Sequence, residues 1–216
     1  MFIVEKEPKS MAAESYRTLR TNIQYSSFDK EYRVIAVTSS EPEEGKSTTA
    51  GNLALCMAQE DKKVMLIDCD LRKPSLHKKF KTSNLLGLSD VIIGKADLDS
   101  VTHRYNKNLY LLTVGKIPPN PSEMLSSKAM SYLLEYLKDT FDYIILDTPP
   151  LKVVTDSQIL SAKVDGTILV VRAEKTKKES VKNAVDLLKN VNANIIGMVL
   201  NGIDVSRRNK HYYHYQ

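Results

Sequence analysis

The sequence has few of the features that mark secreted or membrane-spanning proteins. Only two cysteines, Cys56 and Cys69, occur in 216 residues, and their separation matches no metal-binding spacing. There is no run of roughly 18 apolar residues, so we expect no membrane-spanning helix. The first residues lack the apolar core of a signal peptide. These absences predict a cytoplasmic protein in a reducing compartment.

The charge balance and the lack of repeats narrow the class further. The net charge of +5 permits contact with an anionic membrane surface or an acidic partner, but it does not by itself indicate nucleic-acid binding. With 42% apolar residues and no low-complexity tract, the chain suits one domain with a full core. We expect that domain to span residues 1–206 and a separate tail to span residues 207–216.

A phosphate-binding P-loop is predicted for residues 38–48. An apolar strand-like run precedes the loop and a helix-like run follows it, which is the order that the motif requires. Backbone N–H groups of such a loop point at an anion, and the helix N-terminus adds its dipole. A lysine here reaches the β- and γ-phosphates, and the next hydroxyl binds Mg²⁺. The predicted nucleotide-binding residues are Gly45, Lys46, Ser47 and Thr48.

The loop departs from the usual G-x-x-x-x-G-K-[ST] pattern at its first position, where Ser40 replaces glycine. Serine tolerates fewer backbone conformations, so the entrance to the loop is expected to differ slightly. Glu43 and Glu44 must point outward, because they would otherwise repel phosphates. The alternative, a lysine at an ordinary helix start, is disfavoured because the flanking strand and helix are both present.

Carboxylates follow two further apolar runs. Asp68 and Asp70 end the run at residues 64–67, and Asp147 ends the run at residues 143–146. The carboxyl ends of parallel strands form the ligand-binding edge of a sheet. Buried like charges there require a cation or a proton-transfer role to offset them, although a solvated turn remains the alternative for the first pair. Asp147 has the Walker B arrangement, in which the carboxylate helps to hold hydrated Mg²⁺.

Strand-like and helix-like runs alternate along the chain. This alternation predicts an α/β fold, in which a mostly parallel central sheet of six or seven strands has helices on both faces, as in P-loop NTPases. Helices are expected at residues 10–25 and 179–191. A single helix is expected from Pro121, capped by Asn120, to about Thr140. The last strand ends in Asn201.

Two remaining features do not belong to the predicted core. Glu14, Arg17 and Arg20 are spaced three apart in the first helix, and spacing alone favours a solvated face with a weak ion pair. Tyr212, Tyr213 and Tyr215 lie in the last five residues without apolar periodicity, and a loose tail is the simplest interpretation.

Taken together, these motifs resemble those of the bacterial tyrosine kinases of capsule and exopolysaccharide synthesis, and in particular their stand-alone cytoplasmic subunit. Residues 45–48 are similar to the family's Walker A motif, residues 66–74 to its Walker A′ motif and residues 145–150 to its Walker B motif. A signature of less certain role matches Gly115 with residues 118–123. The E-x-x-R-x-x-R spacing and the tyrosine-rich terminus complete the match, although that cluster is often longer and histidines interrupt it here.

The resemblance implies ATP- and Mg²⁺-dependent transfer of a phosphoryl group to tyrosine. It implies autophosphorylation of Tyr212, Tyr213 and Tyr215, self-association into a ring through Glu14, Arg17 and Arg20, and a membrane adaptor that activates the kinase. The kinase would then sit at the inner face of the cell membrane and act on protein tyrosines, with no nucleic acid expected. The implied catalytic residues are Lys46, Asp68, Asp70 and Arg72, the implied metal-binding residues are Ser47, Asp68 and Asp147, and Asn201 is implied to contact adenine.

Two other functions remain possible from the sequence. A nucleotide switch of the MinD/ParA kind shares these motifs but usually carries an extra lysine early in the loop, where this chain has Glu41. A non-catalytic scaffold is disfavoured because Lys46, Asp68 and Asp147 are all present. Transfer of label from ATP separates the three possibilities.

Overall fold

The computed structural model describes residues 2–26 and 31–203. Within them, the strands form one seven-stranded sheet in the order β3-β4-β2-β5-β1-β6-β7. All neighbouring strands pair in parallel except β3, which runs antiparallel to β4 at one edge. The strands are β1 (Val34–Ser39), β2 (Val64–Asp68), β3 (Thr102–Arg104), β4 (Leu109–Leu112), β5 (Tyr143–Asp147), β6 (Gly166–Arg172) and β7 (Ile195–Asn201).

Helices cover both faces of the sheet, which confirms the predicted layered α/β fold. Helices α2 and α3 pack on one face, and α8 and α9 pack on the other. The helices are α1 (Ile3–Lys6), α2 (Met11–Tyr25), α3 (Lys46–Ala58), α4 (Leu76–Phe80), α5 (Leu88–Ile92), α6 (Leu98–Val101), α7 (Pro121–Ser126), α8 (Lys128–Lys138), α9 (Asp156–Ser161) and α10 (Lys178–Asn190). No helix in these ranges is long and apolar enough to cross a membrane.

The strand that leads into the P-loop lies at the centre of the sheet. Every residue of β1 is buried, because β5 and β6 pair with its two edges and helices cover its two faces. A strand buried on both faces reads as a continuous apolar run, as the sequence predicted. The central position places the P-loop between the carboxyl ends of its two neighbours.

The predicted single helix from residue 121 to about 140 is wrong, because the chain breaks at Ser127. This residue has an extended backbone (φ −59°, ψ 158°) and separates α7 from α8. Its hydroxyl accepts the N–H of Met130 at 3.2 Å and so caps α8. A serine side chain can bond a nearby backbone N–H, and this favours a helix start over a helix interior.

The N-terminal segment packs against the helix that follows the P-loop. The ring of Phe2 is 4% exposed and lies 4.4 Å from the ring of Phe80, centroid to centroid. A Cβ atom added to Gly51 of α3 would lie 2.2 Å from a Phe2 ring carbon, so only glycine leaves room for this ring. The N–H of Val4 donates to the side chain of Asn52 on the same helix at 3.2 Å. Phe2 and Val4 are therefore part of the core.

Candidate active site

The P-loop connects the end of β1 to the start of α3. Gly45 precedes the helix with φ 96°, a left-handed conformation that glycine adopts without steric cost. A Cβ atom at this position would also lie 2.0 Å from the amide nitrogen of Asn201. Ser47, in the first turn of α3, is buried. This is the strand–loop–helix arrangement that the sequence predicted.

The ammonium group of Lys46 lies between two carboxylates from different strand ends. Its Nζ atom is 3.0 Å from Asp70 Oδ2 and 3.4 Å from Asp147 Oδ1. It also donates to the Ser47 hydroxyl at 3.3 Å. Burial lowers the pKa of Lys46, but the charges of Asp147 and Asp70 outweigh this effect, so the net pKa is raised and the amine stays protonated.

Asp68 and Asp147 are direct neighbours in the sheet, because β2 and β5 pair in parallel with these residues in register. Both are fully buried. Burial raises the pKa of Asp147, although the charge of Lys46 and the Ser47 hydroxyl partly offset this. Within the described residues, Asp147 Oδ2 has no hydrogen-bond partner. An unpartnered, buried carboxylate oxygen next to a serine hydroxyl suits a hard cation that prefers oxygen ligands.

The side chain of Asp68 is bound on both oxygens by the backbone that follows it. Oδ1 accepts the N–H of Asp70 at 3.2 Å, and Oδ2 accepts those of Ser75 and Leu76 at 2.9 Å each. Burial and the adjacent Asp147 nevertheless raise the pKa of Asp68 to about 7. Asp68 thus fixes the loop after β2, and Oδ1, with one donor, has fewer hydrogen-bond partners than Oδ2.

Lys46, Asp70 and Asp147 form what we term the Lys46 cluster. Arg72 is not part of this cluster. Its guanidinium donates to both oxygens of Asp156 at 3.0 and 3.3 Å and to the Ser122 hydroxyl at 3.1 Å. Asp156 is fully buried, and Ser122 also donates to it at 2.6 Å. Hydrogen bonds to Asp156 raise the pKa of Arg72. Arg72 therefore compensates a buried carboxylate, a contact that the sequence analysis did not predict.

Asn201 and Thr48 both lie at the P-loop. The side-chain amide of Asn201 donates to the carbonyl oxygen of Glu44 at 2.9 Å, so the end of β7 contacts the loop directly. The hydroxyl of Thr48 accepts from the amine of Lys79 on α4 at 3.1 Å. Lys79 is a cation at the N-terminal end of α3 that could not be predicted from the sequence, because its spacing from the motif carries no signal.

The two glutamates inside the loop differ in exposure. Glu43 points outward as predicted, with a side chain that is 86% exposed and 3.8 Å from the amine of Lys175. The same prediction was wrong for Glu44, which is 2% exposed. Its carboxylate accepts hydrogen bonds from three donor groups of the protein, and these replace the water that a charged group normally requires.

Comparison with known proteins assigns the family. A family model described as the NUBPL iron-transfer P-loop NTPase (ParA) matches residues 31–213. Tyrosine-protein kinase YwqD of Bacillus subtilis is 43% identical over 213 residues, covering 98% of this chain and 90% of that protein. The chain belongs to the bacterial tyrosine kinases. Tyrosine-protein kinase CpsD of Streptococcus agalactiae is 37% identical over 195 residues, covering 89% of this chain and 84% of that protein.

The solved kinase domain of the Escherichia coli tyrosine kinase ETK has the same fold. It superposes with a TM-score of 0.90 at 35% sequence identity, covering 94% of this chain and 80% of that one. This agreement confirms the P-loop NTPase fold predicted from the sequence. The Lys46 cluster therefore lies beside the P-loop of a bacterial tyrosine kinase.

In this kinase, the three charged residues of α2 differ in their surroundings. Arg17 pairs with Glu14 at 2.8 Å near the surface and also donates to the carbonyl of Pro8. Arg20 is only 12% exposed and pairs with Glu60 at 2.9 Å. It also donates to the carbonyl of Cys56, in the last turn of α3, at 3.3 Å. Arg20 thus connects α2 to the P-loop helix within one chain, while Glu14 and Arg17 lie nearer the solvent.

The predicted phosphorylation sites Tyr212, Tyr213 and Tyr215 lie outside the described residues, as does the predicted domain boundary at residue 206. The last described residues, 202 and 203, follow β7. Because β7 runs parallel to β6, its carboxyl end lies at the same edge of the sheet as the Lys46 cluster.

Proposed function

We propose that this bacterial tyrosine kinase transfers the γ-phosphoryl group of ATP to tyrosine side chains, including those of its own tail. We further propose that this modification regulates the synthesis and export of capsular or extracellular polysaccharide. The observation that carries the enzymatic proposal is the position of the Lys46 amine at one sheet edge, next to the P-loop. Its Nζ atom lies within 3.4 Å of a carboxylate oxygen of both Asp70 and Asp147. Phosphoryl transfer depends mostly on positioning and charge neutralisation, and this cluster supplies both.

Magnesium fits the residues at this edge. Ser47 and Asp147 would hold the ion, and Asp68 would support it from the neighbouring strand. A bound Mg²⁺ neutralises charge on the β- and γ-phosphate oxygens. Lys46 brings the fixed positive charge of the chain to the same phosphates, and the N–H groups at the start of α3 bind them from the backbone.

The acceptor tyrosine needs a group that takes its proton. A free tyrosine hydroxyl has a pKa of about 10 and is a poor nucleophile at neutral pH. A carboxylate whose pKa lies near 7 is a stronger base than an ordinary aspartate and is still partly ionised at neutral pH, and burial gives Asp68 this property. Asp70 is the second candidate, but its Oδ2 is already paired with Lys46. We therefore assign the role of general base to Asp68.

We propose that the kinase self-associates through α2 and that a membrane adaptor holds it at the inner face of the membrane. The exposed side chain of Glu14 and the partly buried Arg17 that pairs with it support such an interface, while Arg20 supports it indirectly by fixing α2 on α3. Each phosphate added to the tail brings about −1.5 to −2 charges, so several on one tail repel each other and favour disassembly. Light scattering before and after incubation with ATP tests this, and an unchanged mass after full tail phosphorylation counts against it.

A nucleotide switch of the MinD/ParA kind is the second candidate function, because the ParA family model matches most of the chain. Those ATPases usually have a lysine where this chain has Glu41. The side chain of Glu41 accepts from Lys152 at 3.0 Å and from the Ser180 hydroxyl at 2.7 Å. These contacts give this position a partner inside its own chain, which favours the kinase.

Incubation with γ-labelled ATP and Mg²⁺ distinguishes the proposals. The kinase is expected to label tyrosine in the wild type and to lose that label in Lys46→Met and in the triple variant with Tyr212, Tyr213 and Tyr215 changed to Phe. A matched control changes the exposed tyrosines Tyr25, Tyr132 and Tyr136 to Phe and is expected to keep the label. Free phosphate without labelled protein supports the switch, and neither product supports a scaffold. The assay is repeated with a fused adaptor segment, so that low activity of the isolated chain is not misread.

A mixing experiment tests whether the tail is modified by a neighbouring subunit. Lys46→Met supplies intact tail tyrosines, and the tail triple variant supplies an intact active site. We expect label on the Lys46→Met chain in the mixture. Absence of label there, with label in the wild type alone, would instead support modification within one chain. The chain length permits this, because Tyr212 is nine positions beyond Ile203, a distance of up to about 30 Å in an extended chain.

A further inference from the structure

A buried glutamate that the proposed reaction does not use lies directly behind the P-loop. Glu44 immediately precedes Gly45, and its charge disfavours phosphate nearby. Its Oε2 atom accepts the hydroxyl of Ser40 at 3.0 Å and the N–H of Glu41 at 2.9 Å. Its Oε1 atom accepts the hydroxyl of Thr176. Ser40, Glu44 and Thr176 form what we term the Glu44 staple.

The backbone on both sides of Glu44 is left-handed, which explains why the loop needs support. Glu43 has φ 63° and Gly45 has φ 96°. For a residue with a Cβ atom, this conformation is unfavourable, because the Cβ atom comes too close to the following carbonyl oxygen. Such conformations persist where surrounding contacts determine them. The Glu44 side chain lies between the two residues, so fixing it also fixes the peptide groups on either side.

The staple also connects the P-loop to the ends of two strands. The Thr176 hydroxyl accepts the N–H of Arg172, the last residue of β6, at 3.0 Å while it donates to Glu44. The carbonyl of Glu44 accepts from Asn201, the last residue of β7, at 2.9 Å. The loop is therefore anchored to parts of the sheet that carry none of the phosphate-binding residues.

The same contacts account for serine in place of the motif's first glycine. Ser40 is fully buried and does not have a positive φ, so the conformational freedom of glycine is not needed there. Its hydroxyl instead supplies one of the three donors to the Glu44 carboxylate. A buried carboxylate with fewer donors would be costly.

We propose that the Glu44 staple is a positioning device for nucleotide binding, which holds the N–H groups of residues 43–46 in the phosphate-binding arrangement. The side chains of Glu44, Ser40 and Thr176 act through the backbone and do not themselves touch the nucleotide. The inference rests on the proposed nucleotide-dependent function. It makes a counterintuitive prediction, because removing a negative charge behind an anion site should weaken binding of the anion.

Titration with Mg-ATP by calorimetry tests the staple through equilibrium affinity. Thr176→Val removes one donor and keeps the side-chain shape, and we expect about tenfold weaker binding, since hydrogen bonds to charged groups are worth roughly this factor. Thr176→Ser keeps the hydroxyl and should bind within about twofold of wild type. Thr167→Val is the matched control, because its buried hydroxyl has no hydrogen-bond partner in the described part of the chain. Glu44→Gln should weaken binding at least as much as Thr176→Val.

Hydrogen exchange of the amides at residues 43–46 in nucleotide-free protein gives a readout that does not depend on binding. Exchange should be faster in Thr176→Val and unchanged in Thr167→Val. If Glu44→Gln does not fold, Thr176→Val and Ser40→Ala carry the test. Failure of the wild type to bind Mg-ATP would contradict the proposed function. Wild-type affinity in Thr176→Val, or tighter binding by folded Glu44→Gln, would contradict only the proposed role of the Glu44 staple.

Discussion

Replacing Arg72 with alanine should destabilise the fold by about 2 kcal/mol, because it removes the cation that compensates a buried carboxylate. Breaking a buried pair by removing one partner costs about 3–5 kcal/mol. Two features reduce this value here. The Ser122 hydroxyl stays bonded to Asp156, and the Arg72 side chain is 41% exposed, so water replaces part of the lost interaction. For a chain of this size, the change corresponds to a fall in Tm of roughly 4–8 °C.

Urea unfolding of Arg72→Ala, Asp156→Asn and the double variant measures this cost. In the Asp156→Asn background, Arg72→Ala should cost less than about 0.5 kcal/mol, because no buried charge remains to be compensated. Lys107→Ala is the matched control, since its ion pair with Asp61 is 80% and 83% exposed, and it should change stability by less than about 0.5 kcal/mol. If Arg72→Ala unfolds like the wild type, the argument from the buried carboxylate is refuted.

The same variants decide between two roles for Arg72. If it acts only through Asp156, phosphotransfer activity should recover with stability in the double variant. If activity stays low while stability recovers, Arg72 also acts on the transferred phosphoryl group, as the family resemblance implies.

Three further predictions concern stability in the absence of nucleotide and metal. As the pH rises from about 4 to 7, the free energy of unfolding should fall by up to about 1.4 kcal/mol per pH unit, because Asp68 binds its proton more tightly in the folded protein (pKa about 7) than in the unfolded chain (3.8). Urea titrations at several pH values should show a smaller fall in Asp68→Asn. An equal fall in both proteins would contradict the raised pKa of Asp68. In urea unfolding, Arg20→Ala should lower the free energy of unfolding by about 1 kcal/mol, because it breaks the contacts of Arg20 to Glu60 and to the end of α3. Arg17→Ala should lower it by less than about 0.5 kcal/mol, because the Arg17 ion pair lies near the surface. Ser127→Ala should lower the free energy of unfolding by about 1 kcal/mol, because it removes the side chain that caps α8. The control is Ser126→Ala, at an exposed serine. Equal melting temperatures of the two variants would argue against the cap.

That the site residues lie at one edge of the sheet could be predicted, because it follows from strand direction, whereas their close approach also depends on strand order. Parallel strands present their carboxyl ends at one edge, so residues that directly follow apolar runs must meet there. Lys46, Asp70 and Asp147 are far apart in sequence, and they meet within hydrogen-bonding distance because β1, β2 and β5 are neighbours.

Contacts that involve a loop residue could not be predicted, because no periodicity relates the two partners. Thr176 lies 132 positions from Glu44, and Asp156 lies 84 positions from Arg72. The three backbone donors to Asp68 depend on the path of the loop after β2, which apolar spacing does not encode. For the same reason the short edge strand β3, with no buried residue, was missed.

The position of Phe2 limits how fragments and fusions of this kinase should be designed. Its ring fills the gap above Gly51, one turn beyond the residues that contact phosphate in the proposed reaction. Removal of the first few residues would expose one side of the helix that begins at Lys46 and leave an empty volume beside Gly51. We expect this to lower the melting temperature and, because the same helix begins in the P-loop, to weaken nucleotide binding. An affinity tag or an adaptor segment joined at this end should therefore retain Phe2 and Val4 and be separated from them by a flexible spacer.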